Sequence, residues 1–188
     1  ETMRFKLIKD DKALIERQLK QALMWSDIVA TTGGGSVGDF DFIQDILTDM
    51  HIENIIDGSY MKPGRHIRVV KAGHKYIYAL PGFPYSASVC TFLFIAPLLR
   101  KMRAQNFALP TIKAYMGEPY KKRSKFVEFT ACTLRFNEGQ LIVDLEGKKE
   151  GSSAILNNLL ENAVLLRVEK EVQKIEKGEM VEVVLLEL

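Results

Sequence analysis

The chain has 188 residues, 47% hydrophobic and 27% charged, with a formal net charge of +2. It is long enough for one large or two small cores, too apolar to be disordered, and too evenly charged to carry a tail for nucleic acid or a membrane surface. The longest apolar stretch, "SASVCTFLFIAPLL", is too short and too mixed with Ser and Thr to span a membrane, and no signal-peptide pattern opens the chain. A cytoplasmic protein with no membrane or nucleic-acid partner is therefore expected.

In chain order, "MRFKLI" reads as a strand and "DKALIERQLKQALMW" as a helix with Leu14, Leu19 and Leu23 on one face. "DIVAT" reads as a buried strand, "FDFIQDILTDM" as a helix, "YIYAL" as a strand, and "YSASVCTFLFIAPLLRKM" as a helix that Pro97 should kink. Alternating strands and helices predict an α/β fold with a parallel sheet covered on both faces. The grammar changes at "RAQNFALPT", where Pro110 follows the last helical residues, so domains of about 1–106 and 107–188 are expected. The second is strand-rich ("TIKAYM", "FVEFTACTLRF", "QLIVDL", "AVLLRV", "MVEVVLLEL"), with "NEG" at 137–139 as a hairpin turn and "SAILNNLLE" as its one helical segment. A small antiparallel sheet or barrel follows. Cys90 and Cys132 lie in apolar contexts without CxxC spacing and are expected to be reduced, buried and unconnected with metal. Glu1 in place of Met, leading straight into a strand-like segment, suggests a piece of a longer polypeptide.

Two turns carry the chemistry. In "TTGGGSVGDFD", Thr31 to Asp41, Gly33, Gly34 and Gly35 separate a buried strand from a helix, which places them at the carboxyl edge of the sheet, where ligands bind. Glycines there let backbone amides approach an oxyanion. The spacing is neither a Walker motif nor GxGxxG. Asp39 suits a helix N-cap, whereas Asp41 either complements the helix dipole or faces a ligand through a divalent metal or a sugar hydroxyl. "YALPGFPYSASV" repeats the logic with Pro81, Gly82, Pro84 and Ser86. Between them "MKPGRH" offers Lys62 and Arg65, either ordinary surface charges or partners for an anion.

"DIVATTGGGSVGDFDF", "MKPGRH" and "ALPGFPYSASVCTFLFIAPLLRKM" together resemble the molybdopterin molybdenumtransferase family, which includes MoeA and the gephyrin E domain. The resemblance covers nearly the whole chain. It implies a molybdopterin-binding α/β domain followed by a small β-barrel, and transfer of molybdenum from molybdate to the dithiolene of adenylylated molybdopterin with release of AMP. It also implies a bound divalent metal, for which oxygen-only ligands without a His or Cys cluster point to Mg²⁺ as cofactor, and a homodimer for the full-length protein. "LIKDDKAL" puts Asp10, with Asp41, at the positions of the functional, metal-holding aspartates. Gly34, Gly35, Ser36, Lys62, Arg65, Pro81, Pro84 and Ser86 fall at substrate-binding positions. "KKRSKFVEF" and "KKEGSSAIL" add Arg123 and Ser152 for oxyanions. The chain departs from the family pattern at Arg65, His66, Phe83 and Glu128, the last reversing a charge where an arginine is expected. The family further places two domains, and a strand and helix, before Glu1. Two other functions fit parts of the pattern: a molybdopterin adenylyltransferase, which shares the glycine turn but not the KPG turn and barrel, and a non-catalytic molybdopterin-binding or scaffold protein.

Overall fold

The computed structural model describes residues 2–33, 42–50, 52–148 and 155–186. Contacts divide the chain into two compact units, one formed by residues 1–59 and 66–82, the other by 60–65 and 83–188.

In the first unit, helix α1 (Lys12–Trp25) begins where the Asp11 carboxylate accepts the Leu14 N–H at 2.9 Å, an N-cap satisfying one of the orphan donors of the first turn. Its apolar stripe is Ile15, Leu19, Ala22 and Leu23, packed with α2 (Phe42–Asp49) in one core cluster. Leu14 does not share that face and is 36% exposed: five residues from Leu14 to Leu19 is about 140° of rotation, whereas the 15, 19, 22, 23 spacing keeps to one side.

The sheet beneath these helices has the order β1 (Ile28–Thr32), β5 (Lys75–Leu80), β4 (Arg68–Ala72), β2 (Glu53–Asp57). β1 and β5 pair in parallel, but β4 runs antiparallel to both β5 and β2, so the α/β sheet is mixed. The cause is local. β4 and β5 are joined only by Gly73 and His74, with Gly73 at φ +63°, and two residues cannot carry a parallel crossover. The expected strand at "MRFKLI" is absent: residues 2–9 lack regular structure and Leu7 is fully exposed, although Phe5 packs on the core.

The second unit holds a closed barrel. β10 (Ala163–Val168), β12 (Met180–Leu185), β6 (Thr111–Met116), β9 (Gln140–Asp144) and β8 (Val127–Asn137) follow in order, and β8 pairs back onto β10 over six residues. The β8–β9 hairpin turns at Glu138 (φ +47°) and Gly139 (φ +82°), the type I′ geometry whose twist matches the flanking strands. Ala114, Met116, Cys132, Val143, Leu166 and Val183 are among the side chains filling its core. Of "SAILNNLLE", the described residues 155–161 form one short 3₁₀ turn, Leu156–Leu159. The long helix of this unit runs as α3 (Pro84–Cys90), a π turn over Thr91–Ile95, and α4 (Ala96–Met102). Pro97 is the second residue of α4, one position past that wider turn. Both cysteines are free and buried, as expected.

Candidate functional site

β1 and β5 are in register from Ile28↔Tyr76 to Thr32↔Leu80, so their carboxyl ends stop level at one sheet edge. A Cβ built on Gly82 would stand 3.4 Å from the Gly33 Cα. The two glycine-bearing turns thus start side by side, and a larger residue at 82 would crowd the other turn. Gly33 itself sits at φ +86°, a conformation that disfavours side chains. The Thr31 hydroxyl, at the end of β1, is a buried side-chain oxygen without a hydrogen-bond partner among the described residues. Pro81 is buried beside the same edge. Gly34, Gly35, Ser36, Asp39 and Asp41 lie outside the described residues, as does Ser152. Asp10 is exposed and directly precedes the Asp11 cap.

The KPG turn belongs to the second unit. β3 (Met61–Lys62) pairs in parallel with the start of β8, Met61↔Val127 and Lys62↔Glu128. The Tyr60 carbonyl accepts the Val127 N–H at 3.1 Å. A cis bond joins Lys62 to Pro63, and Gly64 adopts φ +107°. A Cβ on Gly64 would overlap Met61 Cε and lie 2.8 Å from Cys90 Sγ, so packing and backbone both demand glycine. Lys62 and Arg65 are exposed. The Arg65 guanidinium lies 5.3 Å from the centroid of the Phe126 ring.

In the same unit Pro84 begins α3 and Ser86 is 5% exposed in its first turn. Phe83 precedes the helix without a side-chain capping bond and is 61% exposed. Tyr85 is locked to the barrel: its hydroxyl accepts the Ala131 N–H at 3.0 Å and donates to the Phe129 carbonyl at 3.3 Å. Burial pushes its phenol well above the ordinary range. Arg123 is exposed between β7 (Tyr120–Lys121) and β8.

Two buried charges stand out, and only one was singled out by the sequence. Glu128, 8% exposed, accepts the Tyr120 hydroxyl at 2.9 Å on Oε1 and the Ser124 hydroxyl at 2.8 Å on Oε2. Tyr120 spends its proton on Glu128, so Thr130, 2.9 Å away, donates to Tyr120. Burial raises the Tyr120 phenol well above its ordinary value; Glu128 adds to the rise and Thr130 opposes it. The Glu128 carboxylate is therefore satisfied by hydroxyl donors on both oxygens. Lys122, 4% exposed, donates to the Glu169 and Lys170 carbonyls at 2.5 and 2.6 Å. It looks like one more cation in "KKRSK"; only the β-strand alternation of Tyr120, Lys122 and Ser124 hinted at an inward residue.

Among the described residues no three His, Cys, Asp or Glu side chains are grouped so as to hold a metal. Nor is any of their helices long and apolar enough to cross a membrane.

A model described as a probable molybdopterin binding domain matches residues 1–101, and a second, the MoeA C-terminal region (domain IV), matches residues 113–186. A molybdopterin molybdenumtransferase of Staphylococcus aureus is 34% identical over 126 residues, 66% of this chain and 30% of the relative. One from Staphylococcus epidermidis is 27% identical over 170 residues, 90% and 40% respectively. The chain thus spans well under half the length of these relatives. Among solved structures, a molybdopterin biosynthesis MoeA protein of Pyrococcus horikoshii superposes with a TM-score of 0.71 at 22% identity, covering 95% of this chain and 42% of that one. A molybdenum cofactor biosynthesis protein of Pyrococcus furiosus gives 0.68 at 21%, covering 95% and 56%. These likenesses carry the fold, and with both family models in their expected order they establish that the chain belongs to the MoeA family.

Proposed function

We propose that the chain serves molybdenum cofactor biosynthesis by transferring molybdenum from molybdate to the dithiolene of adenylylated molybdopterin, releasing AMP. The carrying observation is the level ending of β1 and β5, which brings Gly33 and Gly82 together at one edge. Backbone amides at such an edge, unobstructed by Cβ atoms, suit the pyrophosphate of that substrate. Gly34, Gly35 and Ser36 continue the first turn in this reading. Pro81, Pro84 and Ser86 shape the second, and Lys62, Arg65, Arg123 and Ser152 receive oxyanions. Domains of about 1–106 and 107–188 are part of the proposal, consistent with family matches ending at 101 and starting at 113.

The donors proposed for a cation, Asp10 and Asp41, are oxygen only. That set suits Mg²⁺, which is commonly held by one or two carboxylates and substrate phosphates. When bound, it supplies charge neutralisation at the phosphoanhydride. Asp10 would hold it from the exposed residue ahead of the α1 cap. A cytoplasmic location and a homodimer complete the reading.

The test adds adenylylated molybdopterin, molybdate and Mg²⁺ to the chain and to a version extended to the length of the curated relatives, and measures molybdate-dependent AMP release. Release by the extended protein, lost in Lys62→Ala and Asp41→Asn, supports transfer. Tight substrate binding with no release at that length would favour the scaffold reading instead.

A further inference from the structure

The KPG turn carries a feature that oxyanion binding does not use. Tyr60 is 86% exposed, yet its carbonyl is fixed by the Val127 N–H. Its backbone is held by the barrel while its ring is left to solvent. The ring centroid lies 6.4 Å from that of Phe126, tilted by 45°. Phe126 in turn has the Arg65 guanidinium at 5.3 Å and the Lys125 ammonium at 5.8 Å. Residues 60–65 and 119–127 contain Lys62, Arg65, Lys121, Lys122, Arg123 and Lys125 and no acidic residue. Of the carboxylates that flank the second stretch, Glu128 is buried and engaged by Tyr120 and Ser124, and Glu118 accepts the Leu145 N–H at 2.7 Å.

We infer that Tyr60 and Phe126 form a stacking platform for the ring of a heteroaromatic phosphate, with Arg65, Lys62 and Lys125 taking its anionic end. This rests on the function proposed above and adds a ring-recognising residue to it. An inorganic oxyanion needs only the cations. A ligand with both a π face and a negative charge uses the aromatic surface as well, because stacking on an exposed ring is favourable for any planar base. Arg65, with its guanidinium over Phe126, stands where it can meet both the ring and the charge of such a ligand.

The probe is AMP, compared with inorganic phosphate and with an acidic peptide, titrated calorimetrically into the 188-residue chain. Tyr60→Ala should weaken AMP binding about tenfold and leave phosphate binding unchanged. Tyr60→Phe should restore AMP affinity, since stacking needs the ring and not the hydroxyl. Arg65→Ala should weaken both ligands. Amide circular dichroism matching the unaltered chain shows that Tyr60→Ala folds, as expected of an exposed ring. The platform is overturned if AMP does not bind, if Tyr60→Ala binds it as well as the unaltered chain, if Tyr60→Phe is as weak as Tyr60→Ala, or if the acidic peptide binds in place of AMP. Failure of the platform leaves molybdate-dependent AMP release intact. Failure of the transferase reading abolishes release but leaves Tyr60-dependent AMP binding.

Discussion

β1 and β2 each pair on one side only, with β5 and β4 respectively, whereas every strand of the barrel ring has a neighbour on both sides among the described residues. The sheet unit therefore keeps two lines of backbone groups that need cover from elsewhere, and the barrel unit keeps none around its ring. The turns that carry Gly33 and Gly82 leave the open sheet where β1 and β5 end level, while the barrel fixes the backbone on either side of Lys62 through the β3–β8 pairing. A closed ring pairs its own backbone all round, whereas an open sheet leaves its outer strands half paired.

The hardest blow to this contrast is Leu166→Ala, which empties a fully buried position in the barrel core. It should cost about 3 kcal/mol. Hydrogen exchange should show protection lost across β8, β10 and β12 but kept in the β4–β5 hairpin. Equal loss in the hairpin would mean that the units do not behave independently. Next, Gly64→Ala should cost about 2 kcal/mol or more, combining a strained φ with overlap against Met61 and Cys90. Gly73→Ala, at φ +63° with open space around it, should cost only about 1 kcal/mol. Urea midpoints for the two variants rank them.

Alkaline pH sharpens the comparison further. Burial pushes the Cys90 and Cys132 thiols up to about 12 from an ordinary 9.0, with the Asp144 charge also raising Cys132. Their folded values lie above their unfolded ones, so the folded chain holds these protons longer. This contribution is complete below pH 9, falls as the unfolded thiols ionise, and is gone above about 12. Tyr85 and Tyr120 are raised in the same unit, while the sheet unit contributes Tyr78, raised by burial and then by Tyr76. Exchange protection should therefore fade first in the barrel as pH rises above 9, and native thiols should react slowly with iodoacetamide at pH 8. Earlier fading in the sheet would reverse the assignment. The smallest effect is expected from Glu146→Gln, whose partner Arg135 is exposed and 2.5 Å away: under about 1 kcal/mol in urea unfolding.

The barrel was more legible than the sheet because its signals are local. Alternation along "FVEFTACTLRF" and the turn at Asn137, Glu138 and Gly139 specify a hairpin with little outside information. The sheet's mixed order was not read, since "RVVKA" carries no strict alternation and its antiparallel course depends on the two-residue link at Gly73. "MRFKLI" has the pattern of a strand but no paired neighbour, and pattern alone cannot supply one. At the site, glycines and prolines announced the turns. Glu128 was seen as a misplaced charge because nothing in its own neighbourhood shows that Tyr120 and Ser124 turn towards it. Tyr60 was passed over because an exposed aromatic acquires meaning only from the residues folded beside it.

The π turn at Thr91–Ile95 has a consequence for how the second turn motif and α4 are oriented. The Ala96 N–H reaches back to the Thr91 carbonyl, five residues away and not four, so the helix carries one more residue there than an α-turn holds. That extra residue acts as a phase shift of about 100°. Upstream, Tyr85 and Ser86 keep the rotational setting that the barrel requires; downstream, Ala96 turns fully inward while Arg100 and Lys101 fall in the last turn, at the negative end of the helix dipole. Removing one residue from 91–95 would return the rod to a single phase, and its two ends could not both keep their present faces. The helix behaves as two indexed segments joined by an offset.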